Sequence, residues 1–199
     1  LCIDMGGATT DVYSHGEPTP EEEAVLTAGL PEPVTKRTVE GDLGMRISAP
    51  AVAQGARVFV ERLRAASGLP EETFDAWVQA VHAEPARLPQ TPVERLCDDV
   101  LAQACLGQAV SRHAGRLEVV YTVNGPTEIR KGKDFRGFST LVCSGGFLSR
   151  GMDPVPALHV MPFDERGRIV LTPAAPRVLY DHAYLWPLPG LAAQGSAVL

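Results

Sequence analysis

The sequence predicts an α/β domain: a mixed sheet with a helical insertion. Three observations point there. β-rich or apolar runs gather at the two ends of the chain, at 1–3, 12–15 and 34–39, then at 117–123, 127–130 and 141–143. Between them, from Ile47 to about Gly115, apolar residues recur at helical spacing. Two of the strand runs are followed closely by glycine pairs, Gly6-Gly7 and Gly145-Gly146, which leaves bare backbone beside a sheet end.

The composition narrows the function classes. At 199 residues, 45% hydrophobic and 21% charged, the chain can bury a core of ordinary size. A net charge of −6 argues against a general nucleic-acid binder. No apolar run approaches a membrane span. Cys2, Cys97, Cys105 and Cys143 are widely spaced with no C-x-x-C pair. They read as free buried thiols, and a reducing cytoplasm suits them.

The first stretch, Leu-Cys-Ile-Asp-Met-Gly-Gly-Ala-Thr-Thr-Asp, carries the chemistry. An apolar strand ends on Asp4; Gly6, Gly7 and Ala8 follow, then Thr9, Thr10 and Asp11, and a second strand resumes at Val12. Glycines let backbone N–H groups close on an anion, and threonine hydroxyls add hydrogen bonds to phosphate oxygens. Asp4 would repel phosphate unless a hydrated Mg²⁺ stood between them. An ordinary Gly-Gly hairpin would use the same glycines, but the two acids and the hydroxyls favour a phosphate cradle. It is not a P-loop, because the closing Gly-Lys-Ser/Thr and the following helix are missing.

Residues 17–33 are acidic and proline-broken, a solvated excursion. Residues 34–39 read as a strand that Gly41 and Gly44 interrupt, and Asp42 is a candidate cap for the helix beyond. Lys36, Arg37 and Arg46 either face phosphates or are plain solvated cations.

Val52, Ala56, Phe59, Val60 and Leu63 mark a first helical stripe, which Gly68 ends. Pro70 opens a second helix, with Phe74, Trp77, Val78 and Val81 inside. Thr91 and Glu94 form a capping box for a long third helix running towards His113. These stripes are core rather than cofactor sites.

Residues 117–123 and 127–130 pair through the Asn124-Gly125 turn signal, and Lys131-Gly-Lys-Asp134 forms a basic loop. The strand at 141–143 then runs into Ser144-Gly145-Gly146, before a possible helix at Phe147. In the tail, 168–171 is a short strand behind a turn at 164–167, and the stretch from Val178 is a partly apolar helix or an extended segment stopped by Pro187. Tyr180, Tyr184 and Trp186 read as packing residues. His82, His113, His159 and His182 lack metal-ligand spacing.

Asp4-Met-Gly-Gly-Ala-Thr-Thr-Asp11 resembles the second phosphate hairpin of the actin-like ATPase superfamily, Asp-x-Gly-Gly-x-Thr-x-Asp. That resemblance implies an RNase-H-like lobe, with residues 1–5, 11–15 and 34–39 as its antiparallel side and 117–123, 127–131 and 140–143 beside or following the helices. It implies nucleotide-binding residues 1–46 and 116–199 around a helical insertion at 47–115. In that superfamily ATP lies between two lobes and the hairpin opens the second. The chain begins in mid-strand at Leu1 with no initiator Met, so it is expected to be a C-terminal piece whose N-terminal lobe is missing.

Four segments resemble a narrower family: 3–12, 36–46, 130–134 and 179–185. They are similar to the C-terminal half of the MutL family associated with glutamate mutase, which is unrelated to the mismatch-repair protein of the same name. Lys36-Arg-Thr-Val-Glu-Gly-Asp-Leu-Gly44 weighs most, being long and not generic to the superfamily. Met5 replaces a usual branched aliphatic, and the tail after Pro187 reads weakly against the family.

The resemblance implies an ATP-dependent reactivating factor that opens an adenosylcobalamin-dependent mutase and releases damaged cobalamin. Asp4 would hold Mg²⁺ through water and serve catalysis. Gly6, Gly7, Ala8, Thr9, Thr10 and Asp11 would cradle phosphate. Lys36, Gly41 and Asp42 would lie in the segment that enters the cover of the nucleotide. Gly145, Gly146 and Phe147 would border adenosine. This piece alone is expected to hydrolyse ATP poorly or not at all. Alternatives on the same fold are a small-molecule kinase, a hydantoinase-type enzyme or a non-catalytic scaffold.

Overall fold

The computed structural model describes residues 1–17, 25–123 and 125–186. The acids at 21–23, Asn124 of the turn signal and the tail from Pro187 lie outside them. The described strands are β1 (Cys2–Met5), β2 (Thr10–His15), β3 (Leu26–Thr27), β4 (Thr35–Glu40), β5 (Arg116–Thr122), β6 (Gly125–Lys131), β7 (Thr140–Ser144), β8 (Ile169–Val170) and β9 (Arg177–Tyr180). The described helices are α1 (Ala49–Gly55), α2 (Arg57–Ser67), α3 (Glu71–Ala83), α4 (Pro92–His113) and the single turn α5 (Val155–Leu158).

Both sheets are mixed. The first runs β4-β2-β1-β7-β9: β4, β2 and β1 are antiparallel neighbours, while β7 and β9 add parallel to β1. The second runs β3-β6-β5-β8. One expectation changes here. Residues 117–123 and 127–131 do not join the first sheet; they pair with each other, β3 adds parallel to β6, and β8 adds antiparallel to β5. Of the two alternatives for the stretch from Val178, the extended one is found: Arg177–Tyr180 is a strand at the sheet edge, parallel to β7.

The core forms where α4 lies across the first sheet. Ile3, Met5 and Val12 meet Val100, Leu101, Ala104 and Cys105, and the same cluster takes in Val52, Phe59, Phe74 and Trp77 from α1, α2 and α3. The helical segment and the first sheet therefore share one buried core. The apolar stripes predicted at helical spacing are the buried faces: Val52, Ala56, Phe59, Val60, Phe74, Trp77, Val78 and Val81 are all enclosed. The first stripe runs over two helices rather than one, with a break at Ala56 directly after Gly55, a poor helix former. Gly68 closes α2 in the left-handed conformation. The capping box of α4 is formed: Thr91 Oγ1 accepts from the Glu94 N–H at 3.1 Å, and Glu94 Oε2 accepts from the Thr91 N–H at 3.1 Å.

The far end of α4 is fastened by a buried histidine. His113 bonds Thr38 Oγ1 of β4 at 2.9 Å and Ser14 Oγ of β2 at 3.0 Å, and its ring stacks on Phe135. The loop read as basic is largely enclosed: Lys133 and Asp134 are buried, and Lys133 Nζ donates to the carbonyls of Pro33 and Val34. No helix among the described residues is long and apolar enough to cross a membrane.

Candidate functional site

The loop at residues 6–9, between β1 and β2, is closed by the Gly6 N–H donating to the Thr9 carbonyl at 2.8 Å. Its other carbonyls are turned into the protein. Gly6 O accepts from the Met45 N–H, Gly7 O from both Arg46 and Ile47, and Ala8 O from Ser48 Oγ at 2.6 Å. Thr10 Oγ1 is buried beneath the loop and donates to Leu43 O at 2.6 Å. Residues 43–48 thus form a seat. Gly44 makes it possible, since a Cβ there would lie 2.3 Å from the Ala8 carbonyl carbon. With the carbonyls engaged beneath, the N–H groups of Gly7, Ala8 and Thr9 have no protein acceptor among the described residues. A row of unengaged amides on a tight turn is an anion-binding arrangement. Of the two threonines, Thr9 stays at the loop, while Thr10 spends its hydroxyl as an anchor.

Sheet register sets acids beside this loop. Asp4 and Asp11 are directly paired across β1 and β2. Asp4 also pairs with Ser144 of β7, and Tyr180 with Cys143, so Asp181 follows at the same level one strand further on. The Asp4 carboxyl is pushed above the usual carboxylate range, first by loss of hydration and then by the charges of Asp11 and Asp181. Asp4 accepts no hydrogen bond and forms no ion pair among the described residues, so a hydrated cation fits there on charge grounds. Asp11 is occupied differently: Arg37 Nη2 and Nε donate to its Oδ1 at 2.8 and 3.1 Å. Asp181 accepts the N–H groups of Leu185 and Trp186, shaping the turn that holds Tyr184.

The second glycine pair divides its labour. Gly145 has φ +94°, and a Cβ on it would lie 2.2 Å from the Met5 carbonyl oxygen. It is there so that β7 can pass close to β1. Gly146 is open, with Tyr184 Oη the nearest atom at 3.8 Å. The possible helix at Phe147 is one 3₁₀ turn, Leu148–Arg150, with Phe147 directly before it. A cleft of about 200 Å³ joins the first pair to one glycine of the second: Gly6 and Gly7 line it with Gly146, Phe147, Arg46 and Leu88. Arg46 is held there by a bidentate bond to Asp98, at 3.0 and 2.7 Å, and Asp98 also accepts from Trp77 Nε1 at 2.8 Å. A larger cavity of about 400 Å³, lined by Gly16, Lys133 and Phe138, contains neither glycine pair.

Three of the predicted site residues stand apart. Lys36 pairs in register with Ser14, far along the hairpin from the glycines, and binds Glu32 and the His113 carbonyl. Asp42 caps no helix; it forms a two-pronged pair with Arg112 at 2.6 and 2.8 Å, which lowers its pKa. Gly41 accepts from Ser48 Oγ at 3.1 Å through its carbonyl and supports the seat. Sequence reading missed Asp98, Asp181 and Tyr184. Asp98 had a signal, an acid directly beside the apolar stripe of α4, where it is 1% exposed. Tyr184 and Trp186 are about half exposed, unlike packing residues, and Tyr184 adopts a left-handed φ of 53°.

A family model described as "MutL protein" matches residues 1–198. A curated relative named "Protein MutL", from Clostridium tetanomorphum, is 34% identical over 200 residues, an alignment covering 98% of this chain and 42% of the relative. The chain therefore spans about two fifths of that protein's length. No solved structure matches. On the extent of the family match and this identity, the chain belongs to the MutL protein family.

Proposed function

We propose that this chain is the nucleotide-binding C-terminal half of an ATP-dependent reactivating factor for an adenosylcobalamin-dependent mutase of the glutamate mutase kind. The observation that carries the reading is the cleft that Gly6 and Gly7 of the β1–β2 loop line together with Gly146 and Phe147. The antiparallel β4-β2-β1 side of the first sheet supports an RNase-H-like lobe of the actin-like ATPase type. Residues 1–46 and 116–199 would make the lobe and 47–115 its insertion. The four free cysteines suit a reducing cytoplasm.

The residues fit ATP and Mg²⁺. The N–H groups of Gly7, Ala8 and Thr9 would donate to phosphate oxygens. Asp4, short of a positive partner, would hold Mg²⁺ through water. Gly146 and Phe147 would border the adenosine, and Arg46, paired with Asp98, forms part of the cleft wall. Bound MgATP supplies a phosphoanhydride whose cleavage ends the closed state of the cleft. The seat at 43–48 keeps the loop amides aligned, so little reorganisation is needed when charge develops. Closure between this lobe and the rest of the protein would act on the mutase.

The test is reactivation. A mutase inactivated by damaged cobalamin is mixed with the full-length protein, MgATP and fresh adenosylcobalamin. Recovery of mutase activity that needs ATP and fails with Asp4→Ala supports the proposal. Recovery that is independent of ATP, or absent, defeats it.

A further inference from the structure

A second concave site lies away from the cleft. It opens between the α1–α2 junction, the last turn of α4, the start of β5, the end of β6 and the turn at 164–168, with a volume of about 680 Å³. It shares no lining residue with the cleft of Gly7 and Gly146. In a chain of net charge −6, its walls carry Arg57, Arg112, Arg116, Lys131, Arg166 and Arg168 against only Asp164 and Glu165.

Part of that charge is compensated. Arg57 pairs with Glu61 at 2.6 Å, and Arg112 with Glu40 and Asp42 at 2.7 and 2.6 Å. The rest is not. Arg116 and Arg168 share one carboxylate, Asp164, at 3.4 and 2.7 Å. Lys131 and Arg166 have no carboxylate partner among the described residues. Arg116 is two-thirds or more enclosed, fixed by donating to Ala114 O at 2.9 Å and Ser111 Oγ at 3.1 Å. Burial and the nearby Arg168 both disfavour its charge, an arrangement that an incoming anion relieves.

We infer that this basin binds a small soluble polyanion bearing phosphate groups, as a site separate from the cleft. The volume is that of a ligand pocket rather than a flat docking face. Planar guanidinium forks on several walls match the oxygens of phosphate groups. The acidity of the chain as a whole tells against nucleic acid.

The experiment is calorimetry of the full-length protein with sodium pyrophosphate at low ionic strength, in wild type and in the doubly reversed K131E/R166E. Both side chains are exposed and without carboxylate partners, so the variant should keep its fold, which circular dichroism checks. The expected result is pyrophosphate binding that persists when the cleft is saturated with MgATP and is weakened at least tenfold by K131E/R166E. Absence of binding in wild type, or equal binding in the double variant, overturns the inference. Heat released with poly-glutamate but not with pyrophosphate also overturns it, in favour of an acidic protein surface.

Discussion

His113 shows how one buried side chain links fold to pH. Its two ring nitrogens are committed to Thr38 and Ser14, and burial, helped by Lys36 and Lys133, lowers its pKa to about 4 from the ordinary 6.5. The folded protein therefore keeps the ring neutral where the unfolded chain protonates it. Stability from this residue is complete above about pH 6.5, falls as pH drops below it, and is fully lost below about pH 4. Between about pH 6.5 and pH 5 the loss is about 2 kcal/mol. Urea unfolding across that range, with His113→Gln as reference, checks it: the variant should show a shallower pH slope. A single sequence assigns such a histidine no role, because both its partners come from strands distant in the chain. Lys36 fails to reach the cleft for a related reason: its register position, set by the whole hairpin, places it at the wrong end of β4.

At the scale of elements, the β1–β2 hairpin depends on a segment it does not contain. Residues 43–48 take up the carbonyls of Gly6, Gly7 and Ala8, and Gly44 lies directly against the Ala8 backbone. Gly44→Ala sets backbone against Cβ with nothing flexible between. The expected cost is about 1–3 kcal/mol of stability, together with weakened nucleotide binding as the loop lifts from its seat. Thermal melting and nucleotide titration of the same variant measure both.

The hairpin itself was legible because its signal is local: strand, glycines, hydroxyls and acids lie within eleven residues. The helices were legible from their stripes, and α4 from its cap. The split of the β-rich segments into two sheets was not, since strand alternation says nothing about which neighbour a strand chooses. The seat was visible only as Gly41 and Gly44. That the loop carbonyls accept from it, and that Asp98 fixes Arg46 from α4, are contacts across long sequence separation that periodicity does not encode.

For the molecule as a whole, α4 joins the helical segment to the first sheet in one core, and the cleft opens where β1, β7 and residues 43–48 converge. The relative is more than twice the length of this chain. The central claim is that Gly6, Gly7 and Gly146 belong to one nucleotide site. The direct measurement is calorimetry of MgATP binding to the full-length protein, with Gly146→Val and Asp4→Ala. Gly146 is the informative glycine, because a side chain at Gly145 would strike the Met5 carbonyl and disturb the sheet itself. Binding in wild type that falls at least tenfold in Gly146→Val, with the melting temperature unchanged, is the predicted result. No MgATP binding by the full-length protein, or wild-type affinity in both variants, would contradict it.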